Sequence, residues 1–169
     1  MIVNTLTLIN AEYLKEYSPI PLNFNLDDIW SYVPMSEKLH IVPIIGSKLY
    51  NKLLKEVDDN NIPEEDSTLL LNIYQVEAYC IVYEALNMIA YNISEQGIVK
   101  HKSENAETVN IEELKDIKNN LNTQIVFLKN NLIQFLNNNK DCYPDFKGVS
   151  TVKNNENNLR LYNSNVKNI

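Results

Sequence analysis

Pro63 to Ser94 reads PEEDSTLLLNIYQVEAYCIVYEALNMIAYNIS, the longest unbroken helical pattern in the chain. Pro63, followed by Glu64, Glu65 and Asp66, is a helix-start signal. The fixed φ of proline suits a first turn, and acids there offset the positive end of the helix dipole. Leu69, Ile73, Val76, Cys80, Tyr83 and Ala90 trace one apolar stripe, and Leu70, Tyr74, Ile81 and Ala85 add a second. A helix apolar over so wide an arc belongs at the centre of a bundle. Gly97 is expected to end it.

The other elements arrange themselves around this one. IEELKDIKNNLNTQIVFLKNNLIQFLNNN, from Ile111, places Leu114, Ile117, Leu121, Ile125, Leu128, Leu132 and Phe135 at steps of three and four, an amphipathic helix. Asn110 is its expected cap, with Glu113 at capping-box spacing. Between the two long helices, GIVKHKSENAETVN is too polar for a core strand and reads as an extended excursion or β-arm. Upstream, Asn10 caps AEYLKEY, which Pro19 and Pro21 stop. NLDDIWSYVPMSEKLH reads as a helix from Asn25 or Leu26, kinked or divided at Pro34, with Ser36 as a cap for a second piece. SKLYNKLLKEV puts Leu49, Leu53 and Val57 on one face, with Tyr50 and Leu54 beside them and Ser47 as the expected N-cap. The fold class is therefore all-α, a bundle of four to five helices. Residues 1–25 read as an N-terminal arm with one short helix, 26–146 as the helical domain, and 147–169 as a polar C-terminal tail that has lost periodicity.

Composition agrees. Hydrophobic content is 44% and the chain has only 3 glycines and 6 prolines in 169 residues, against the needs of a hairpin-rich fold. The net charge of -7 repels phosphate, which argues against a protein that wraps nucleic acid. Roughly one residue in six is Asn, and Ile, Lys and Tyr are also plentiful, the bias of a low-GC genome. Two cysteines make no disulfide framework, and Cys80 falls on a buried face. The N-terminus lacks signal-peptide character, and no run approaches the roughly 18 apolar residues of a membrane span. A protein dissolved in the cytoplasm of the cell that makes it is expected, with no membrane partner.

Motifs for chemistry are missing. There is no GxxxxGK[ST], GxGxxG, HExxH, GxSxG or CxxC, and His40, His101, Cys80 and Cys142 are too dispersed to suggest zinc. Asp58, Asp59, Glu64, Glu65 and Asp66 read as a solvated loop and helix start. The helical tyrosines Tyr50, Tyr74, Tyr79, Tyr83 and Tyr91 suit core and interface packing. No catalytic residue, cofactor or metal is expected. Pro43 and Gly46, in IVPIIGSKLY, read as a structural corner where one helix ends and the next leaves on a new axis.

Tyr32 to Leu53, YVPMSEKLHIVPIIGSKLYNKL, resembles the I-x-P-x-[LI]-G-x-x-L-Y-x-x-L segment of small helical head–tail connector proteins of tailed bacteriophages, in particular those of crAss-like phages of Bacteroidetes-type hosts. The order of long helix, polar excursion and final helix ending in YPDF is similar too, so the resemblance spans roughly residues 26–146. It implies a structural adaptor of the virion neck, assembled in the host cytoplasm. Copies would form a ring, commonly of roughly twelve subunits, between the portal protein and further ring or tail proteins. DNA would pass through its channel only as non-specific cargo, and an acidic wall would not grip it.

Subunit contacts are then expected in the arms, from apolar residues with no evident place in their own core. These are Ile2, Val3, Leu6 and Leu8 at the front, and Ile98 and Val99 in the excursion. In the tail they are Val149, Val152, Leu159, Leu161 and Tyr162. Two other readings compete. A small binding module acting on a host protein would be a monomer or dimer with an exposed apolar patch. An enzyme would need a set of convergent polar groups that the sequence does not offer.

Overall fold

The computed structural model describes residues 6–94, 97–100 and 111–149. Its elements are α1 (Ala11–Tyr17), α2 (Val33–Ser36), α3 (Val42–Ile45), α4 (Ser47–Asp58), α5 (Glu64–Ala90), α6 (Ile111–Asn138) and a hairpin of β1 (Tyr91–Ser94) and β2 (Gly97–Lys100). The protein is an all-α bundle with α5 at its centre.

The wide apolar arc of α5 explains that position. Leu69, Leu70, Ile73, Tyr74, Val76, Ala78, Cys80, Ile81 and Ala85 are all buried, and α6, α1 and the Trp30–Ile45 run pack around them. α6 runs back along α5. Leu114 and Leu121 join Val82 and Leu86 in one cluster, and beyond the end of α6 Tyr143 donates its hydroxyl to the Glu65 carbonyl at 2.7 Å. Ile117, expected on the buried stripe of α6, is 41% exposed instead.

α5 stops at Ala90 rather than continuing to Gly97, and the chain enters the hairpin, in which Tyr91 faces Lys100 and Ser94 faces Gly97. The strand-forming residues Tyr91 and Ile93 enter the hairpin there. Tyr91 is thus a strand residue. Asn110 lies outside the described residues.

The N-terminal arm carries its one short helix, and residues 6–17 dock on the bundle. Asn10 caps α1 by accepting from the Tyr13 N–H at 2.9 Å. Ile9 before the cap and Leu14 in the first turn hold the positions of a hydrophobic staple, and both are buried together with Leu8. Tyr13 stacks on Tyr74 of α5 with ring centroids 4.7 Å apart.

From Leu26 to Ile45 the chain winds through two 3₁₀ turns, α2, a π-turn at Glu37–Ile41 and α3. Asn25 caps the first turn at 3.2 Å. Pro34 sits in the first turn of α2, where its missing N–H costs no helical bond. Ser36 caps nothing. It is buried inside the run. The π-turn follows from Pro43, whose ring crowds the carbonyl four residues back and cannot donate to it. The chain widens by one residue there, and the Val42 N–H bonds to the Glu37 carbonyl five residues back.

Gly46 then makes the corner between α3 and α4 at φ 83°, ψ 152°. Its conformation is one that glycine alone adopts readily, and Gly46 itself, rather than Ser47, occupies the cap position of α4. A Cβ at Gly46 would meet nothing within 4 Å, so backbone strain alone sets the cost of a side chain. Gly46→Ala is expected to destabilise the fold by about 1–3 kcal/mol, read from chemical denaturation. An unchanged midpoint would show that the corner relaxes freely.

Candidate functional site

Three buried polar centres tie the helices together, and sequence reading anticipated none of them. In the first, Glu37 of the π-turn accepts from the Leu8 N–H through one oxygen and from the Tyr50 hydroxyl at 2.6 Å through the other. Glu77 of α5, wholly buried, lies beside it. Burial first, and the Glu37 charge second, hold the Glu77 carboxyl well above the ordinary range. Burial and Glu37 also push the Tyr50 hydroxyl upward, which keeps it a donor. The centre joins the N-terminal segment, the π-turn, α4 and α5 around one carboxylate.

In the second, Lys129 of α6 donates to His40 Nδ1 at 2.9 Å, and His40 Nε2 lies 2.7 Å from Glu84 Oε1 of α5. An ammonium can only donate, so Nδ1 accepts and the imidazole proton sits on Nε2, donating to Glu84. Burial, helped by the Lys129 charge, lowers the His40 pKa against the pull of Glu84. The bond from His40 lowers that of Glu84, and burial lowers that of Lys129. Glu84 is the acidic end of this chain of bonds, and the His40 ring links it to the Lys129 amino group.

In the third, Lys52 of α4 bonds Asp66 at 2.7 Å and lies 3.6 Å from Glu56. Asp66 is therefore buried rather than a solvated residue of the loop, because α4 folds over the start of α5. Burial and the neighbouring Asp66 charge raise the Glu56 pKa.

The first two centres oppose each other in pH. Glu77 has a raised folded pKa, so its stabilisation is full below the ordinary 4.5 and is lost as pH rises through the raised value. His40 has a lowered folded pKa, so stability is lost as pH falls below the ordinary 6.5. Between those limits the two trends offset. A Glu77→Gln chain removes one of them, and its denaturation midpoint is expected to fall as pH is lowered from 7 to 5, more steeply than that of the natural chain. Parallel profiles would contradict the assignment of protons.

The Gly46 corner opens on a cleft of about 640 Å³ whose opposite wall is Pro144, Asp145, Lys147, Gly148 and Val149. Lys48 and Asp145 bridge it at 2.9 Å on the surface. Pro43 and Gly46, the expected structural corner, line it together.

The expected interface residues fall into three groups. Leu6 is 42% exposed and Leu8 1% exposed; Leu8 belongs to the core, because Glu37 draws its backbone inward. Val149 also packs partly on the core, which Tyr143 and Phe146 carry toward the corner. Ile98 and Val99 lie in β2. Ile2, Val3, Val152, Leu159, Leu161 and Tyr162 lie outside the described residues, as does His101. Cys80 is buried and Cys142 exposed, both free. Among the described residues no group of three or more His, Cys, Asp or Glu is placed to share a metal ion, and no described helix is long and apolar enough to cross a membrane.

These features define a helical scaffold whose buried charges answer one another across its elements. A sequence profile described as a family of unknown function, DUF6712, matches residues 41–156, more than half of the chain, and the chain belongs to that family. No curated protein and no solved structure matches it.

Proposed function

We propose that the protein is a structural head–tail connector of a tailed bacteriophage, a ring-forming adaptor between portal and tail, located in the neck of the virion and acting without catalysis. The observation that carries this reading is the corner at Gly46. The stretch with the connector-like sequence, Tyr32 to Leu53, folds as one rigid turn of the chain, with Ile44, Ile45, Leu49 and Leu53 buried on both sides of a glycine at φ 83°. Residues that resemble a packing motif are used for packing.

The buried ionisable groups support the same reading. They are spent on joining α4, α5, α6 and the π-turn, which suits a subunit that must keep its shape under load. The acidic balance of the chain suits a channel wall past which DNA slides.

The test is mass measurement in solution, alone and with the portal protein of the same phage. A closed ring, or a monomer that assembles on the portal, is the expected result. A stable complex with a single host protein and indifference to the portal would favour a small regulatory module instead.

A further inference from the structure

Tyr17 of α1, Gln75 and Tyr79 of α5, and Gln124, Phe127 and Leu128 of α6 line a groove of about 310 Å³. Phe127 is 63% exposed, and Leu71, one turn before Gln75 on α5, is 40% exposed. Large apolar side chains this open on two long helices mark a surface made to be covered.

We propose that this groove receives the C-terminal segment around Leu159–Tyr162 of a neighbouring copy of the chain. The inference rests on the ring assembly proposed above and names the contact that would propagate it. Three observations select this occupant. First, twenty residues follow Val149, and Leu159, Leu161 and Tyr162 form the apolar cluster at their middle, ahead of Val166 and Ile169. Leu159 and Leu161 have the two-residue spacing that an extended segment presents on one side.

Second, Val149 packs on the core beside the Gly46 corner, so the segment departs from a fixed point. The nine residues from 150 to 158 could span at most roughly 30 Å from that point. Third, the charges match. The last twenty residues carry Lys153, Arg160 and Lys167 against the single acid Glu156, in a chain that is otherwise strongly acidic. Glu16 interacts with Tyr17, one of the residues that line the groove, and offers Arg160 a carboxylate. End-into-groove contact is heterologous, the type that closes a ring.

Cross-linking tests it in the full-length chain. Cys142→Ser removes the exposed thiol and Cys80 is buried, so Phe127→Cys with Leu161→Cys supplies the only accessible pair among the described residues and the segment in question. Under mild oxidation, covalent species of two or more chains are expected. A disulfide within one chain, or none, would overturn the proposal. Phe127→Asp, at a position too exposed to carry the fold, is expected to weaken self-association at least tenfold by sedimentation. Unchanged association would also overturn it. Intermolecular cross-links without portal assembly would leave this contact standing and remove the connector reading. Portal assembly without cross-links would do the reverse.

Discussion

Glu37→Ala is expected to destabilise the fold by about 3–5 kcal/mol, because it removes the acceptor at the centre of a buried network and leaves the donors in place. Two donors would lose their partner at once, the Leu8 N–H and the Tyr50 hydroxyl. A cavity the size of the carboxylate and its stem would remain beside Glu77. The consequence reaches the chain end, since Leu8 is anchored by this bond, and residues before α1 should become open to limited proteolysis. Glu77→Gln serves as the contrast. Burial and Glu37 hold the Glu77 carboxyl well above its ordinary range, and a glutamine keeps its shape and can donate toward Glu37, so the amide should cost less than about 1 kcal/mol at neutral pH. Equilibrium denaturation of both variants checks the pair. Equal losses would mean that Glu77, and not Glu37, carries the charge.

Lys129→Ala is the second large effect, expected at about 3 kcal/mol or more. It deletes a buried four-carbon stem and strips His40 Nδ1 of its donor in one step. Lys129→Met should cost much less, because the stem volume stays and His40 can now bind a proton and pair with Glu84 as an imidazolium. The Met variant therefore carries a signature that lost packing would not produce, a rise in the His40 pKa measured by NMR titration. A His40 pKa unmoved by Lys129→Met would contradict the chain of bonds described here.

The helical plan was legible because it rests on periodicity. The stripes of α5, the face of α4 and the Asn10 cap follow from spacing and local hydrogen bonding alone. The polar centres were not read, although two of them leave a trace in the same pattern. Glu77 is four residues from both Ile73 and Ile81, and Lys129 is four from Ile125 and from Ile133, so each charge sits in phase with a buried stripe. What that phase does not reveal is the partner, which lies 40 residues away for Glu77 and 89 for Lys129 and is brought in by the π-turn. The π-turn depends on how Pro43 disturbs the helix before it, a tertiary choice as much as a local one. Leu8 shows the same limit from the other side. Apolar residues near a chain end read as surplus, and only the carboxylate of Glu37 explains why this one turns inward.

The most direct measurement of the proposed connector role is the mass of the protein mixed with the portal protein that this role implies, by native mass spectrometry or cryo-electron microscopy. A closed ring of many copies seated between portal and tail is the result this account predicts. A portal that stays bare while the protein remains a lone subunit, or pairs one-to-one with a host protein, would contradict it.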